Sequence, residues 1–471
     1  MKRLFVILMT LCSTLCVNAQ EVLSLEQCRE MALENNKSAA AARLQSEKAK
    51  YTLNEIRSNF FPNISASGLA LASNLNRDFA IEGGYLPTFV PNPATGELSP
   101  NIMTMGGVPI TDANGNYIFN EYAYFPGINY NLKFNTAFNA SILVKQRIYL
   151  GGKILAGYRM AKLGTELSGL NEKLSNDEVV LKSDEAYWNC VKAKAMISAL
   201  KQYYSTLEGF CKDMQNAVEV GMKTSNELLK VQVQLNTAEL NLLKAENALK
   251  LATMNLCHVI GLPLNKQVDV ADDNLSIEIA DYGDFDVTER IEYEMLTKQL
   301  EMQEEQVKVI AADYLPNIAL VGSYGYTNGF KLNDERFIDN DSFAGLVTIS
   351  IPIFHWGEGK NKISAARADS KILEMQRSEN TELMELEINQ ALNALTEAQM
   401  EVEFSERSLE QTKENLRITQ DNYEVGRETV SELLEAQTLW QKALTDKVTA
   451  EASLRLAWTK YLKTIGRLQQ E

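Results

Sequence analysis

Residues 360–425 read KNKISAARADSKILEMQRSENTELMELEINQALNALTEAQMEVEFSERSLEQTKENLRITQDNYEV and contain neither glycine nor proline. Their Glu, Gln, Ala, Leu and Lys content is that of a strong helix former. At 1.5 Å per residue the run predicts a continuous helix of roughly 100 Å. Beyond Gly426, apolar residues recur at three- and four-residue steps with small alanines among them, as in antiparallel helices packed in a coiled coil. An ordinary helical bundle would explain this periodicity equally well, but not the length.

The same pattern occurs earlier in the chain at a constant offset of 205 residues. Residues 149–261 align with residues 354–466 without insertion or deletion, and the turn at Val425-Gly426 is matched by Val220-Gly221. The chain is therefore an internal tandem duplication, in which each copy predicts a long helix, a tight turn and a returning helix. A unit whose length is held fixed over more than a hundred residues suggests that its length is functional.

Four segments beside these helices have the period of a β-strand. Apolar residues fill mostly even positions from Phe134 to Val144, and alternation recurs at 343–351 and, more weakly, at 64–72 and 318–326. Strands of about ten residues with one apolar face suit the wall of an outer-membrane barrel, although each could instead be half of a soluble hairpin. Four strands cannot close a membrane barrel, for which about eight is the minimum, so several chains must contribute.

The two copies differ by one inserted loop. The segments FFPNI at 60–64 and YLPNI at 314–318 match at an offset of 254, so the first copy carries 49 extra residues. This loop, about 73–131, is rich in Asn, Gly and Pro, joins the first two strands and is expected to face the cell exterior. Aromatic residues stand in the sequence where strands and helices meet, which is typical of a membrane interface or of packing at a hinge. They are Phe60, Phe61, Tyr149, Tyr314, Phe354 and Trp356.

The N-terminus has the features of a secretory signal peptide. Lys2-Arg3 precede an apolar run, and Val17-Asn18-Ala19 predict cleavage before Gln20, so residues 1–19 would be removed. No later run approaches the roughly 18 apolar residues of a spanning helix, so membrane insertion would have to be as a barrel.

Composition excludes several function classes. The formal net charge is −16, and loss of Lys2 and Arg3 makes it −18, which argues against nucleic acid and anionic headgroups as partners. With two histidines and no CxxC, HExxH or phosphate-loop pattern, the sequence predicts no catalytic residue, no cofactor site and no metal site. The mature cysteines lack paired spacing and are expected to be buried apolar residues. They are Cys28, Cys190, Cys211 and Cys257.

Taken together, the residues resemble the TolC-type outer-membrane efflux proteins over essentially the whole mature chain. The specific marks are ALENN at 32–36, the strand openings at Pro62 and Pro316, QRIYLGG at 146–152, IPIF at 351–354 and the tip motif YEVG at 423–426. The resemblance implies a mixed α and β membrane protein. Three chains would form a twelve-stranded barrel, four strands each, continued by a long α-helical coiled-coil barrel across the periplasm. The implied partners are a periplasmic adaptor, an inner-membrane transporter of RND or ABC type, and outer-membrane lipid.

The resemblance also divides the mature chain into segments. They are N-terminal helices of the first repeat (20–61), strands 1 and 2 (62–148), the first helical hairpin (149–262), an equatorial linker (263–288), the N-terminal helix of the second repeat (289–315), strands 3 and 4 (316–353), the second hairpin (354–466) and a tail (467–471).

The resemblance places the functional site at the helix turns. Tyr423 matches an inner-coil Tyr of the family, and Glu227 matches its acidic partner. Glu432 and Glu435 lie three apart on one helix face, so threefold symmetry would repeat them as a six-carboxylate ring at the entrance. The family's gate Arg would be Glu428 here, beside Arg427, a departure that alters the expected salt-bridge latch. A solvated helix face is the alternative for each of these acids.

The turns themselves are the expected adaptor-docking tips, formed by Val220, Gly221, Val425 and Gly426. The resemblance thus implies a non-enzymatic exit duct in the outer membrane of a Gram-negative bacterium, serving tripartite efflux or type I secretion. The alternative from another class is a soluble periplasmic coiled-coil scaffold. Cargo is not encoded in any motif of the chain.

Overall fold

The structure is a computed structural model that describes residues 21–272, 274–277, 279, 285–333 and 335–468. The predicted signal peptide lies outside the described residues. The chain divides into two compact units. The helical unit comprises the residues up to Ile56, Lys153–Ala311 and those from Trp356 onward, and the sheet unit comprises Arg57–Gly152 and Ala312–His355.

The secondary-structure elements follow one another along the chain in two alternating blocks of helix and strand. In chain order they are β1 (Glu21–Leu23), α1 (Leu25–Asn35), α2 (Lys37–Arg57), β2 (Asn63–Ile81), β3 (Gly84–Pro87), β4 (Phe89–Pro91), β5 (Leu98–Pro100), β6 (Thr104–Met105), β7 (Val108–Pro109), β8 (Tyr122–Phe125), β9 (Ile128–Leu150), α3 (Lys153–Glu219), α4 (Ser225–Val259), β10 (Val268–Val270), α5 (Ile291–Ala312), β11 (Asn317–Leu332), β12 (Glu335–Ser350), α6 (Glu358–Glu424) and α7 (Val430–Thr464).

In the helical unit, the two copies of the duplicated sequence form helices of identical length. Helices α3 and α6 each contain 67 residues, and α4 and α7 each contain 35. Every boundary of α3 and α4 recurs 205 residues later in α6 and α7. The predicted helix–turn–helix of each copy is therefore present, with a long arm of roughly 100 Å. Among the described residues, no helix combines the length and apolar character needed to cross a bilayer.

One buried core of the helical unit forms where β1 and α1 meet the linker after α4. Strand β1 pairs in parallel with β10, an element that the sequence patterns did not predict. Leu23, Val268 and the thiols of Cys28, Cys190 and Cys257 share this core and are almost fully buried. Cys211 is only half-buried. The expectation of buried cysteines is thus confirmed for three of the four, and burial raises the pKa of Cys28 and Cys190 to about 12.

A buried ion pair fixes α1 to α3 in this core. Arg29 donates from Nε and Nη2 to the two carboxylate oxygens of Asp184, at 2.9 and 2.7 Å. The Asp184 side chain is fully buried, and burial raises the pKa of its carboxyl although Arg29 opposes the shift. Removing only one partner of such a pair strongly destabilises the fold, because the other charge stays buried without a partner.

We therefore expect Asp184→Ala to destabilise the protein by about 3 kcal/mol, the lower end for a broken buried pair because Arg29 is partly exposed. The double variant Arg29→Met, Asp184→Leu is the matched control and should lose much less. Urea titration of the helical circular dichroism of detergent-solubilised protein measures both. Equal losses in the two variants would mean that packing, rather than the orphaned charge, sets the cost.

The sheet unit contains one antiparallel four-stranded sheet in the order β12-β11-β9-β2. Its strands contain 16, 16, 23 and 19 residues in that order, so the prediction of about ten residues each was too short. The inserted loop accordingly spans 82–127 rather than 73–131. The cause is visible in the sequence, where the alternation Leu69, Leu71, Phe79, Ile81 continues across polar residues, and backbone pairing does not require apolar side chains.

The segment 82–127 is itself folded into a small lobe. Three short antiparallel pairs, β3 with β8, β4 with β5 and β6 with β7, build it. Backbone hydrogen bonds join the pairs, such as Asn101 N–H to Thr88 O at 2.9 Å and Asn120 N–H to Asn101 O at 2.7 Å. The region predicted as a plain loop is therefore an ordered extension between β2 and β9.

Candidate functional site

The two helix turns that follow α3 and α6 have the same backbone geometry. Gly221 and Gly426 have φ of 77° and 75°, in the left-handed region that glycine adopts without strain. Met222 N–H donates to Ala217 O at 2.8 Å, and Arg427 N–H donates to Asn422 O, also at 2.8 Å. With the glycine N–H bonds to Val218 O and Tyr423 O, these contacts form the Schellman motif that ends a helix.

The returning helices begin with identical caps. Glu227 N–H donates to Thr224 Oγ1 at 3.3 Å, while Glu227 Oε2 accepts from the Thr224 N–H at 2.8 Å. Glu432 and Thr429 repeat both bonds, at 3.3 and 2.6 Å. These backbone hydrogen bonds lower the pKa of Glu227 and of Glu432, because they favour the charged carboxylate. Both acids thus form a capping box, a role that the sequence patterns above did not assign to them.

Tyr423 meets the first hairpin through its ring. The ring is half-buried and makes an edge contact with Phe210, centroid to centroid 5.8 Å. The Lys223 ammonium lies 4.6 Å from the Tyr423 centroid, and Glu227 Oε1 lies 4.0 Å from the same ammonium. The predicted partner Glu227 is therefore nearby, but Lys223 is the charged group over the ring.

Lys223 was not predicted, because Glu227 was the only residue of the first hairpin that the resemblance matched to the gate. The offset of 205 places Lys223 opposite Glu428, so the duplicated position carries opposite charges in the two turns. Glu428 is half-buried and accepts a hydrogen bond from Asn422 Nδ2 at 3.0 Å. Arg427 is exposed beside it. The signal that would have identified Lys223 is this reversal of charge between the two copies.

The two turns lie side by side in the helical unit. Met214, Val231 and Val430 form a buried cluster beneath them, against which Tyr423 and Phe210 pack. Lys230 Nζ donates to Ser431 Oγ at 2.9 Å, and one turn further on Gln234 Nε2 donates to Thr438 Oγ1 at 3.0 Å. The contacts join both hairpins of one chain close to their tips.

The outer surface of both tips is exposed to solvent. Val220 and Val425 are 69% and 68% exposed, and Met222 is 79% exposed. Apart from each glycine and its chain neighbours, no atom of the described residues lies within 4 Å of the position that a Cβ would take at Gly221 or Gly426. Glu435 lies on the same helix face as Glu432, and both side chains are exposed. The ring of carboxylates and the docking role of the tips remain predictions.

The six aromatic residues of the predicted membrane interface are mostly exposed. Phe354 and Trp356 are 68% and 89% exposed, and Phe60, Phe61 and Tyr149 are also exposed. Tyr314 is half-buried, with its ring at an edge contact to His355, centroid to centroid 6.0 Å. Their contact with lipid remains a prediction.

The chain resembles known proteins in sequence and in fold. Residues 114–262 and 295–467 match the model of the family described as outer membrane efflux protein. The Campylobacter jejuni CmeC outer membrane channel is 20% identical, with 94% of this chain and 86% of that chain covered and a TM-score of 0.68.

Two further solved structures show the same fold. The open state of the Neisseria gonorrhoeae MtrE outer membrane channel is 17% identical, with 95% and 90% covered and a TM-score of 0.71. The Vibrio cholerae outer membrane protein VceC is 15% identical, with 94% and 96% covered and a TM-score of 0.69. No curated protein sequence matches the chain.

Proposed function

Since this chain belongs to the outer membrane efflux protein family, we propose that three copies assemble into the exit duct of a tripartite efflux or type I secretion system. The family comprises efflux channels rather than enzymes, and its members lie in the Gram-negative outer membrane and extend into the periplasm. In the proposed assembly the helical tips bind a periplasmic adaptor, which also binds an inner-membrane transporter of RND or ABC type.

The observation that carries the assembly of several copies is the pair of open edges on the four-stranded sheet, and the number three comes from the family resemblance. In the described part of the chain, β2 and β12 each have a hydrogen-bonded neighbour on one side only. Edge strands of 19 and 16 residues expose long rows of unpaired backbone groups, which a bilayer does not tolerate. Pairing β12 of one copy with β2 of the next satisfies both edges, and three copies give twelve strands.

An exposed apolar stripe on α4 supports the same assembly. Leu229, Val233, Leu240 and Leu243 recur at steps of four, seven and three residues and are all at least half exposed. This is the spacing of a coiled-coil seam, which buries such residues against another helix. The helices of a neighbouring copy are the proposed partner.

The test is assembly and conduction. Protein extracted from outer membranes in detergent should cross-link as a trimer, run as a heat-modifiable trimer on gels and form pores in planar bilayers. The competing proposal, a soluble periplasmic scaffold, expects a monomer released by osmotic shock. Recovery of the protein in that soluble fraction would refute the duct.

The proposed carboxylate ring can be tested by comparing substitutions of its two acids with a substitution in the first hairpin. Glu435→Gln should reduce both cation selectivity and block by divalent cations in planar bilayers, because three charges leave a narrow mouth. Glu432→Ala should do so less cleanly, since it also removes the capping-box acceptor of α7 and weakens that cap by about 1 kcal/mol. Glu227→Ala removes the duplicated cap and serves as the control for the loss of the cap. Unchanged block in Glu435→Gln would mean that this acid faces solvent outside the tunnel.

A further inference from the structure

The contact between the two hairpin tips differs from the one that the family resemblance implies. There, the inner-coil Tyr has an acidic partner, at the position of Glu227. In this structure Glu227 Oε2 is occupied by the Thr224 N–H at 2.8 Å and the Thr224 hydroxyl at 2.9 Å. The carboxylate is thus held by the cap of its own helix.

The group that reaches across to the second hairpin is Lys223. Its ammonium lies 4.6 Å from the Tyr423 ring centroid, within the roughly 6 Å at which a cation is attracted to an aromatic face. Glu227 Oε1, 4.0 Å away, steadies the ammonium from the side of its own hairpin. The Lys223 side chain is 33% exposed, so water only partly screens the contact.

The Tyr423 ring is also held from other directions. Phe210 meets it edge-on at 5.8 Å, and the ring packs on the cluster that contains Met214 and Val430. Each of these contacts uses the ring and none uses the phenol hydroxyl. At the duplicated position the second turn has Glu428, which is bound to Asn422 within its own hairpin.

We propose that Lys223 is the positioning residue that keeps the entrance closed, by holding the Tyr423 ring of the second hairpin against the first through a cation–π contact. This inference rests on the proposed duct. We call this Lys223–Tyr423 contact the clamp. A trimer has three clamps, so losing all of them should change the equilibrium constant between closed and open entrances roughly tenfold or more.

Four substitutions separate this clamp from a hydroxyl–carboxylate latch. Tyr423→Phe keeps the ring and removes the hydroxyl, and Lys223→Arg keeps the cation; both should conduct like the unmodified duct in planar bilayers. Tyr423→Leu and Lys223→Met should each raise conductance or open probability roughly tenfold. Heat-stable trimers in all four variants establish that assembly is intact.

The outcomes separate the two proposals. If Tyr423→Phe opens the duct as much as Tyr423→Leu, the hydroxyl is the latch and the clamp is refuted. Wild-type conductance in Lys223→Met refutes it as well, while leaving the duct itself standing. If the unmodified protein forms neither trimers nor pores, the proposed function fails instead.

Discussion

Removing two heptads from each of the four long arms, at matched positions, is expected to preserve trimers and abolish export. The cuts would be 193–206 and 236–249 in the first hairpin, and 398–411 and 441–454 in the second, all away from the tips. Because a helix rises 1.5 Å per residue, each arm shortens by about 21 Å while the coiled-coil phase is kept. The tips would then fall short of any partner that stands at a fixed distance.

The control is the same deletion in the first hairpin alone. Its tip would no longer lie beside Val430 and Ser431, which Val231 and Lys230 contact in the intact chain. Trimers should then fail to form, because the two hairpins of a copy cannot line one tunnel together. Export of cargo is measured by the sensitivity of a deletion strain to toxic compounds after complementation. Normal export by either shortened protein would show that arm length is not functional.

The arms were predictable because local signals and the duplication agree. Residues 360–425 lack glycine and proline, and Gly221 and Gly426 mark the ends of two helices whose lengths the alignment had already equated. Helix propensity, capping residues and repeat spacing all indicate the same helix boundaries, and such agreement makes a boundary predictable. The observed helices α3 and α6 differ from the anticipated limits by a few residues at most.

The sheet was harder to predict from side chains. The stretch from Asn74 to Asp78 is mostly polar, yet it continues β2, because the strand is held by backbone pairing with β9. The alternation of apolar and polar side chains reflects which face of a strand is buried, and it does not show where the backbone hydrogen bonds end. The parallel pair of β1 and β10 was missed for a similar reason, since three-residue strands carry too little pattern to be recognised.

At the tips, the structure shows two contacts that the sequence patterns did not assign. Thr224 to Glu227 and Thr429 to Glu432 have the spacing of a capping box, a local signal that was present in the sequence and overlooked. The contact of Lys223 with Tyr423 joins residues 200 positions apart, so only the packing of the two hairpins reveals it. Sequence patterns thus indicated the two turns as a candidate site, while the contacts between the turns required the structure.

The tips also give a prediction that separates docking from folding. Gly221→Trp or Gly426→Trp should leave trimers and membrane insertion intact and should abolish export. The space around both positions is open, so the indole would project outward from a surface that the proposed adaptor approaches. The left-handed backbone at these positions costs a non-glycine residue only about 1–2 kcal/mol, which is small beside helices of 67 and 35 residues.

Gly221→Asn and Gly426→Asn are the matched controls, because Asn tolerates the left-handed conformation and adds little bulk. Export that persists with Asn and fails with Trp assigns the effect to blocked docking. Export that fails with both would assign it to the conformation of the turn, and normal export with Trp would require the partner to bind elsewhere on the duct. Heat-resistant trimers on gels and survival in toxic compounds are the two measurements. Together they decide whether these six glycine turns per trimer are a docking surface or ordinary helix ends.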